Sequence, residues 1–135
     1  MMVVVVVPRQ DAAPLPYGGL DYYQVHYIVE TGDANTEQFM ARCEPITKGR
    51  FGDKRVVGVK WTGTSSFADT LQNDMRLTDL LKEVMLEEGE IRVDPLDDHV
   101  RIYGKWKHNE RPRGISAMAE VADVIAGHIK AMVKP

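Results

Sequence analysis

Arg101, Tyr103, Lys105 and Lys107 recur at every second position of V-R-I-Y-G-K-W-K. In a β-strand that spacing puts all four side chains on one face, a ridge of three cations and an aromatic ring. The loop that follows, H-N-E-R-P-R-G, adds His108, Arg111 and Arg113. It leads into a helical stretch, whose free backbone N–H groups and dipole would favour an anion at its start. Lys48, Arg50, Lys54 and Arg55, in the glycine-punctuated K-G-R-F-G-D-K-R, would extend the patch if the two regions lie together. Cations interleaved with an aromatic suit a phosphorylated small ligand or single-stranded nucleic acid. The solvated outer face of an antiparallel sheet carries the same residue types, and spacing alone does not separate the two readings.

Other residue groups offer less. D-P-L-D-D-H at 94–99 gathers three carboxylates beside His99, with Glu87, Glu88 and Glu90 close in sequence. Hard cations use oxygen clusters of this kind. The spacing matches no calcium loop, however, and Asp and Pro are the ordinary residues of a turn, so no metal and no cofactor is expected. T-G-T-S-S at 62–66 is a hydroxyl-rich turn ahead of a helix, without the glycine spacing and lysine of a P-loop. Cys43 is the single cysteine, which reads as a small buried apolar residue rather than a nucleophile. His26 falls on the more polar side of an alternating strand, where a hydrogen-bonded or solvated role suffices. His128 falls near a helix C-terminus, where the dipole favours it. No HExxH, paired CxxC, G-x-S-x-G or G-x-G-x-x-G is present.

The elements that must position these groups follow from periodicity. Val3–Val7 is a β-branched run without alternation, ended by Pro8. It reads as a strand buried on both faces or paired with another chain. Residues 9–19 form a Pro/Gly-rich loop, so residues 1–19 are a candidate for exchange between subunits. Tyr22–Glu30 alternates as a strand, with Tyr23, Val25, Tyr27 and Val29 on one face. Residues 35–44 carry both a helical start (Asn35 and Gln38) and a strand-like Phe39, Ala41, Cys43 alternation; the reading leans to a short helix ending before Pro45.

A strand follows with Val57, Val59 and Trp61 on one side, then a helix from Phe67 opened by a Ser66/Asp69 capping box. At ~100° per residue, Phe67, Ala68, Leu71 and Met75 point roughly 120° away from Leu77, Leu80, Leu81, Val84 and Met85. Either one straight helix with an unusually wide apolar face, or a break near Asn73-Asp74 with Thr78 recapping a second helix, accounts for that rotation. Gly89 ends the helix. Ile91–Lys107 is a hairpin turning at P-L-D-D, with Val100, Ile102, Gly104 and Trp106 inward. The last helix spaces Ile115, Met118, Ala122, Ile125, Ile129 and Met132 at alternating threes and fours, the seam either of a core helix on a sheet or of a dimer. The fold class is therefore α+β, an antiparallel sheet packed by two main helices. Lys60-Trp61 and Lys105-Trp106, each after a strand glycine and before a loop and helix, suggest two ββα-like halves or a chance echo.

A chain of 135 residues with 44% hydrophobic and 27% charged content supports a single globular domain, residues 1–135. The net charge of -3 argues against a wholesale nucleic-acid or membrane coat, though not against a local basic patch. The five N-terminal valines are too few, and lack the flanks, for a signal peptide. No run reaches the ~20 apolar residues of a membrane span. A cytoplasmic protein without membrane contact is expected. The leading functional expectation is a non-catalytic module that binds itself, as a homodimer, or a protein partner through the valine-rich N-terminus or the last helix. The second is a binder of nucleic acid or a phosphorylated ligand through Arg101, Tyr103, Lys105, Lys107, His108, Arg111 and Arg113. A small enzyme using His99 or His108 ranks third.

Overall fold

The computed structural model describes residues 2–10, 21–32, 35–50, 52–104 and 117–133, with main chain only for 2–10, 21–24 and 87. Six antiparallel strands, β1 (Met2–Gln10), β2 (Asp21–Glu30), β3 (Ala41–Lys48), β4 (Arg55–Gly63), β5 (Ile91–Pro95) and β6 (His99–Gly104), form one sheet in the order β1-β2-β6-β5-β3-β4. Three helices, α1 (Phe67–Gln72), α2 (Met75–Glu88) and α3 (Ala117–Val133), accompany it. α1 and α2 pack on β4 and β3, and α3 packs on β2 and against α2. The fold is α+β.

Strand alternation decides which side chains enter the core. Tyr27, Val29, Ala41, Cys43, Val59, Trp61, Ile91, Val93, Val100 and Ile102 are buried against Phe67, Leu71, Leu77, Leu81, Met85, Val121, Ile125 and Ile129 in one cluster. Most of the apolar stripe of α3 enters this cluster; Met132 is 39% exposed, and Ile115 lies outside the described residues. Met118, Val121, Ala122, Ile125, Ala126 and Ile129 are all buried within the chain, which makes α3 a core helix rather than an open seam.

Several expectations need correction. Residues 35–44 are not a helix: a single 3₁₀ turn, Glu37–Phe39, leads into β3, and the Phe39, Ala41, Cys43 alternation is what the fold uses. Pro45 lies inside β3, because β5 pairs with β3 only over Ala41–Cys43, so one flank of Pro45 needs no backbone donor. Pro8 likewise fails to end β1, which continues to Gln10 at the outermost position of the sheet. β1 pairs with β2 of its own chain in nine consecutive register pairs. Against β4 the register slips between Ile46 and Thr47 of β3, making Val57 a bulged residue of β4 and turning Val56, not Val57, towards the core.

Of the two explanations for the rotated apolar faces the structure takes the break, at Asn73-Asp74, but the cap of α2 is Asp74, not Thr78. Asp74 accepts a hydrogen bond from the Leu77 N–H at 3.0 Å. Met75 opens α2 and is 69% exposed, so it belongs to neither apolar face. Ser66 makes no side-chain cap; Ser65 accepts from the Phe67 N–H instead. Gly89, at φ 75°, closes α2 as expected.

The element order β3-β4-α1-α2 followed by β5-β6-α3 repeats a ββα plan. The two hairpins meet through the antiparallel β3–β5 pair, where Arg42 sits opposite Arg92. That is the arrangement a two-fold axis between β3 and β5 generates, with β1 and β2 added outside it. Lys105 and Trp106, the second half of the Lys-Trp echo, lie outside the described residues.

Candidate anion site on the open sheet face

With the helices on one side, the opposite face of the sheet carries the polar alternates. Cross-strand register aligns Thr62, Arg42, Arg92, Tyr103 and His26 in one row across β4, β3, β5, β6 and β2. The neighbouring row places Asp94 opposite Arg101 and Arg101 opposite Ile28. Of the residues expected to form a binding ridge, Arg101 and Tyr103 lie on this face, both partly buried. Lys105, Lys107, His108, Arg111 and Arg113 lie outside the described residues. Lys48 and Arg55 pair with each other at the β3–β4 turn, two strands away from β6. The grouping of that loop with Arg101 is therefore not what the sheet order produces: β5 stands between β3 and β6.

His26 and Tyr103 are register partners, and their rings stack with centroids 4.4 Å apart and planes 2° from parallel. His26 is only 3% exposed, although it sits on the face away from the helices. The Tyr103 hydroxyl donates to the Asp94 carboxylate. Burial, and then this bond to Asp94, push the Tyr103 phenol above its ordinary value.

Arg101 holds the centre. Its Nε donates to His99 Nε2 at 3.3 Å, and its Nη1 lies 3.4 Å from His26 Nδ1. A guanidinium has no acceptor, so both imidazoles present a lone pair to it. His99 Nδ1 must then carry that ring's proton, and it faces Asp98 Oδ1 at 2.7 Å. This bond to His99 holds the Asp98 carboxyl below its usual range. His99 and His26 are thus assigned by their partners as neutral acceptors.

The other arginines on this face are neutralised. Arg92 Nε lies 2.8 Å from Glu90 Oε1, and that bond raises the Arg92 guanidinium above its ordinary value. Arg42 Nε stands 3.6 Å from Glu44 and 3.7 Å from Glu90. Arg101 is, among the described residues, the cation of this face that side-chain hydrogen bonds fix in place without an ion-pair partner.

Two surface depressions flank it. One of about 410 Å³ is lined by Ile28, Glu30, Gly32, Asp98, His99 and Arg101. Another of about 320 Å³ lies by Met40, Arg42, Thr62, Arg92 and Asp94. Both reach the size range of small-ligand sites.

The chemistry available is electrostatic recognition. His99 with Asp98 forms a histidine–carboxylate pair, but among the described residues no hydroxyl or thiol stands at hydrogen-bonding distance from His99. Cys43 is fully buried on the helix side, and burial pushes its thiol up to about 12, so it is protonated and inert. No group of three or more His, Cys, Asp and Glu suited to a metal ion occurs among the described residues. No described helix is long and apolar enough to cross a membrane.

Sequence reasoning put Arg101 and Tyr103 on the outward face from strand alternation, and read His26 as either hydrogen-bonded or solvated; the structure buries it against Tyr103 and Arg101. That reasoning missed that His26 and His99 meet Arg101, because His26 and Arg101 come from strands far apart in the chain. No protein-family model, curated protein or solved structure matches this chain.

Proposed function

We propose that this protein is a non-catalytic binding module that captures a small oxyanion at Arg101, on the open face of its sheet. One observation supports this above others: Arg101 donates to the imidazoles of His99 and His26 and, among the described residues, has no ion-pair partner within 4 Å. A fixed guanidinium matches the two oxygens of a carboxylate, phosphate or sulfate. Because it is already held, little side-chain entropy is lost on binding. The carboxylates of Glu30 and Asp98 at the same depression disfavour a run of phosphates. A single anionic group fits this setting better than nucleic acid.

The test is sulfate titration of the full chain and of Arg101→Gln, followed by NMR at low ionic strength. Binding should weaken at least about tenfold in the variant, the usual consequence of removing one partner from a charge-assisted contact. Equal affinity in the two proteins would overturn the assignment.

A second reading is self-association, favoured by the contrast between the two sheet edges. β4 carries Arg55, Lys60, a glycine and a bulge, all devices that discourage strand pairing. β1 has no charged residue from Met2 to Pro8 and no bulge in its pairing with β2. The occupant it fits is β1 of a second copy, antiparallel about a two-fold axis, which would continue the sheet across the dimer.

A further inference from the structure

Building on the self-association reading, we infer that the Gln72 side chain is a cap on the β4 edge of the sheet, denying that edge to β1 of a second copy. β4 is the last strand in the sheet order and pairs with β3 alone. Gln72 is the final residue of α1, and its half-buried side chain folds back over the strand that precedes the helix. Its Oε1 accepts from the Trp61 N–H at 2.8 Å, and its Nε2 donates to the Val59 carbonyl at 3.0 Å. Pro45, the register partner of Val59, has no N–H to give. Val59 and, two residues on, Trp61 therefore belong to the non-hydrogen-bonded pairs of the β3–β4 ladder, and their main-chain groups face outwards.

That pair of groups is where an added strand would dock. Towards its start β4 is interrupted by the bulge at Val57, while from Gly58 to Thr62 its register with β3 is unbroken. Gln72 sits on the middle of this regular run. One primary amide fills both a donor and an acceptor there, as the backbone of a neighbouring strand would. Its partners assign its orientation, oxygen to the N–H and nitrogen to the carbonyl. Charge selects the occupant that is kept out. Pairing β4 with itself about the centre of the run would set Lys60 opposite Lys60, which like charges oppose. β1 carries no charged residue from Met2 to Pro8. A β1–β4 contact is head-to-tail, so the growing end always keeps an edge free and the assembly does not close. With β4 capped, β1–β1 pairing stops at the dimer.

Gln72→Ala removes both bonds, and Gln72→Met removes them while keeping the length of the side chain. In dilute solution, hydrogen exchange of the Trp61 amide should be at least about tenfold faster in either variant than in wild type, beyond any change in the central strand β5. Sedimentation at rising concentration should show both variants forming larger species than wild type, and adding Val5→Lys should reverse that growth. Trp61 exchange as slow as in wild type, or an equal acceleration in β5, overturns the cap. So does wild-type size in both variants. Growth that survives Val5→Lys overturns β1 as the excluded strand. A monomeric wild type whose Gln72 variants grow through β1 upholds the cap and removes only the dimer. A dimeric wild type indifferent to Gln72 does the reverse.

Discussion

At the scale of single residues, the side chains that matter most are those with partners on two elements. Asp74 is one. Its Oδ1 caps α2 by accepting from the Leu77 N–H, and its Oδ2 lies 2.6 Å from His128 Nε2 on α3. The bond to His128, then the one to Leu77, holds the Asp74 carboxyl below its ordinary value. A depressed carboxylate stabilises the fold above its unfolded value of about 3.9, and that contribution is lost as pH falls through the lowered folded value. Asp74→Ala should therefore cost about 1–2 kcal/mol at pH 7 by urea denaturation, and the gap to wild type should narrow as pH falls below the unfolded value of about 3.9. A gap that is constant from pH 7 to pH 3 would count against this account. His128 was expected near a helix C-terminus, and it is there. Its partner was not legible, because nothing local links residue 128 to residue 74.

Among elements, the hairpins and helices were readable where one periodicity dominates, as in β2, β6 and α3. They were misread where two signals compete. Residues 35–44 satisfy helical capping chemistry and strand alternation together, and burial of Phe39, Ala41 and Cys43 against the helices decides for the strand. Where elements meet, small residues set the spacing. A Cβ on Gly63, at the end of β4, would fall 2.5 Å from the Met40 carbonyl oxygen and 3.1 Å from Ala68 Cβ. The first of these neighbours is backbone and cannot rotate away. Gly63→Ala is expected to destabilise by about 1–3 kcal/mol. Gly127, in α3, has nothing within 4 Å of its hypothetical Cβ, so Gly127→Ala should be neutral or stabilising by up to about 1 kcal/mol, from helix propensity alone. Similar losses in both variants would show that propensity or global strain, not the Met40 contact, governs Gly63.

At the scale of the whole molecule, the described helices pack on one side of the sheet and leave the polar alternates of its strands on the other. The open face holds the Arg101 cluster. The proposed self-association would place a second copy at the β1 edge, since most of the described apolar stripe of α3, the other surface suggested by the sequence, is buried inside the core. Val5→Lys tests that edge, because it sets a lysine, which discourages strand pairing, at the middle of β1. Sedimentation should give a dimer for wild type and a monomer for the variant; a monomeric wild type at high micromolar concentration would sink the dimer. Sequence alone determined the α+β class, the glycine stop at Gly89 and the outward pointing of Arg101 and Tyr103. These depend on spacing within a few residues, which the chain geometry of a helix or strand converts directly into direction. Only the tertiary structure decided that β5 separates the Lys48–Arg55 turn from Arg101, that Glu90 neutralises Arg42 and Arg92, and that two imidazoles from different strands hold one guanidinium. Strand order and register bring those groups together, and both are set by how the whole apolar face is buried.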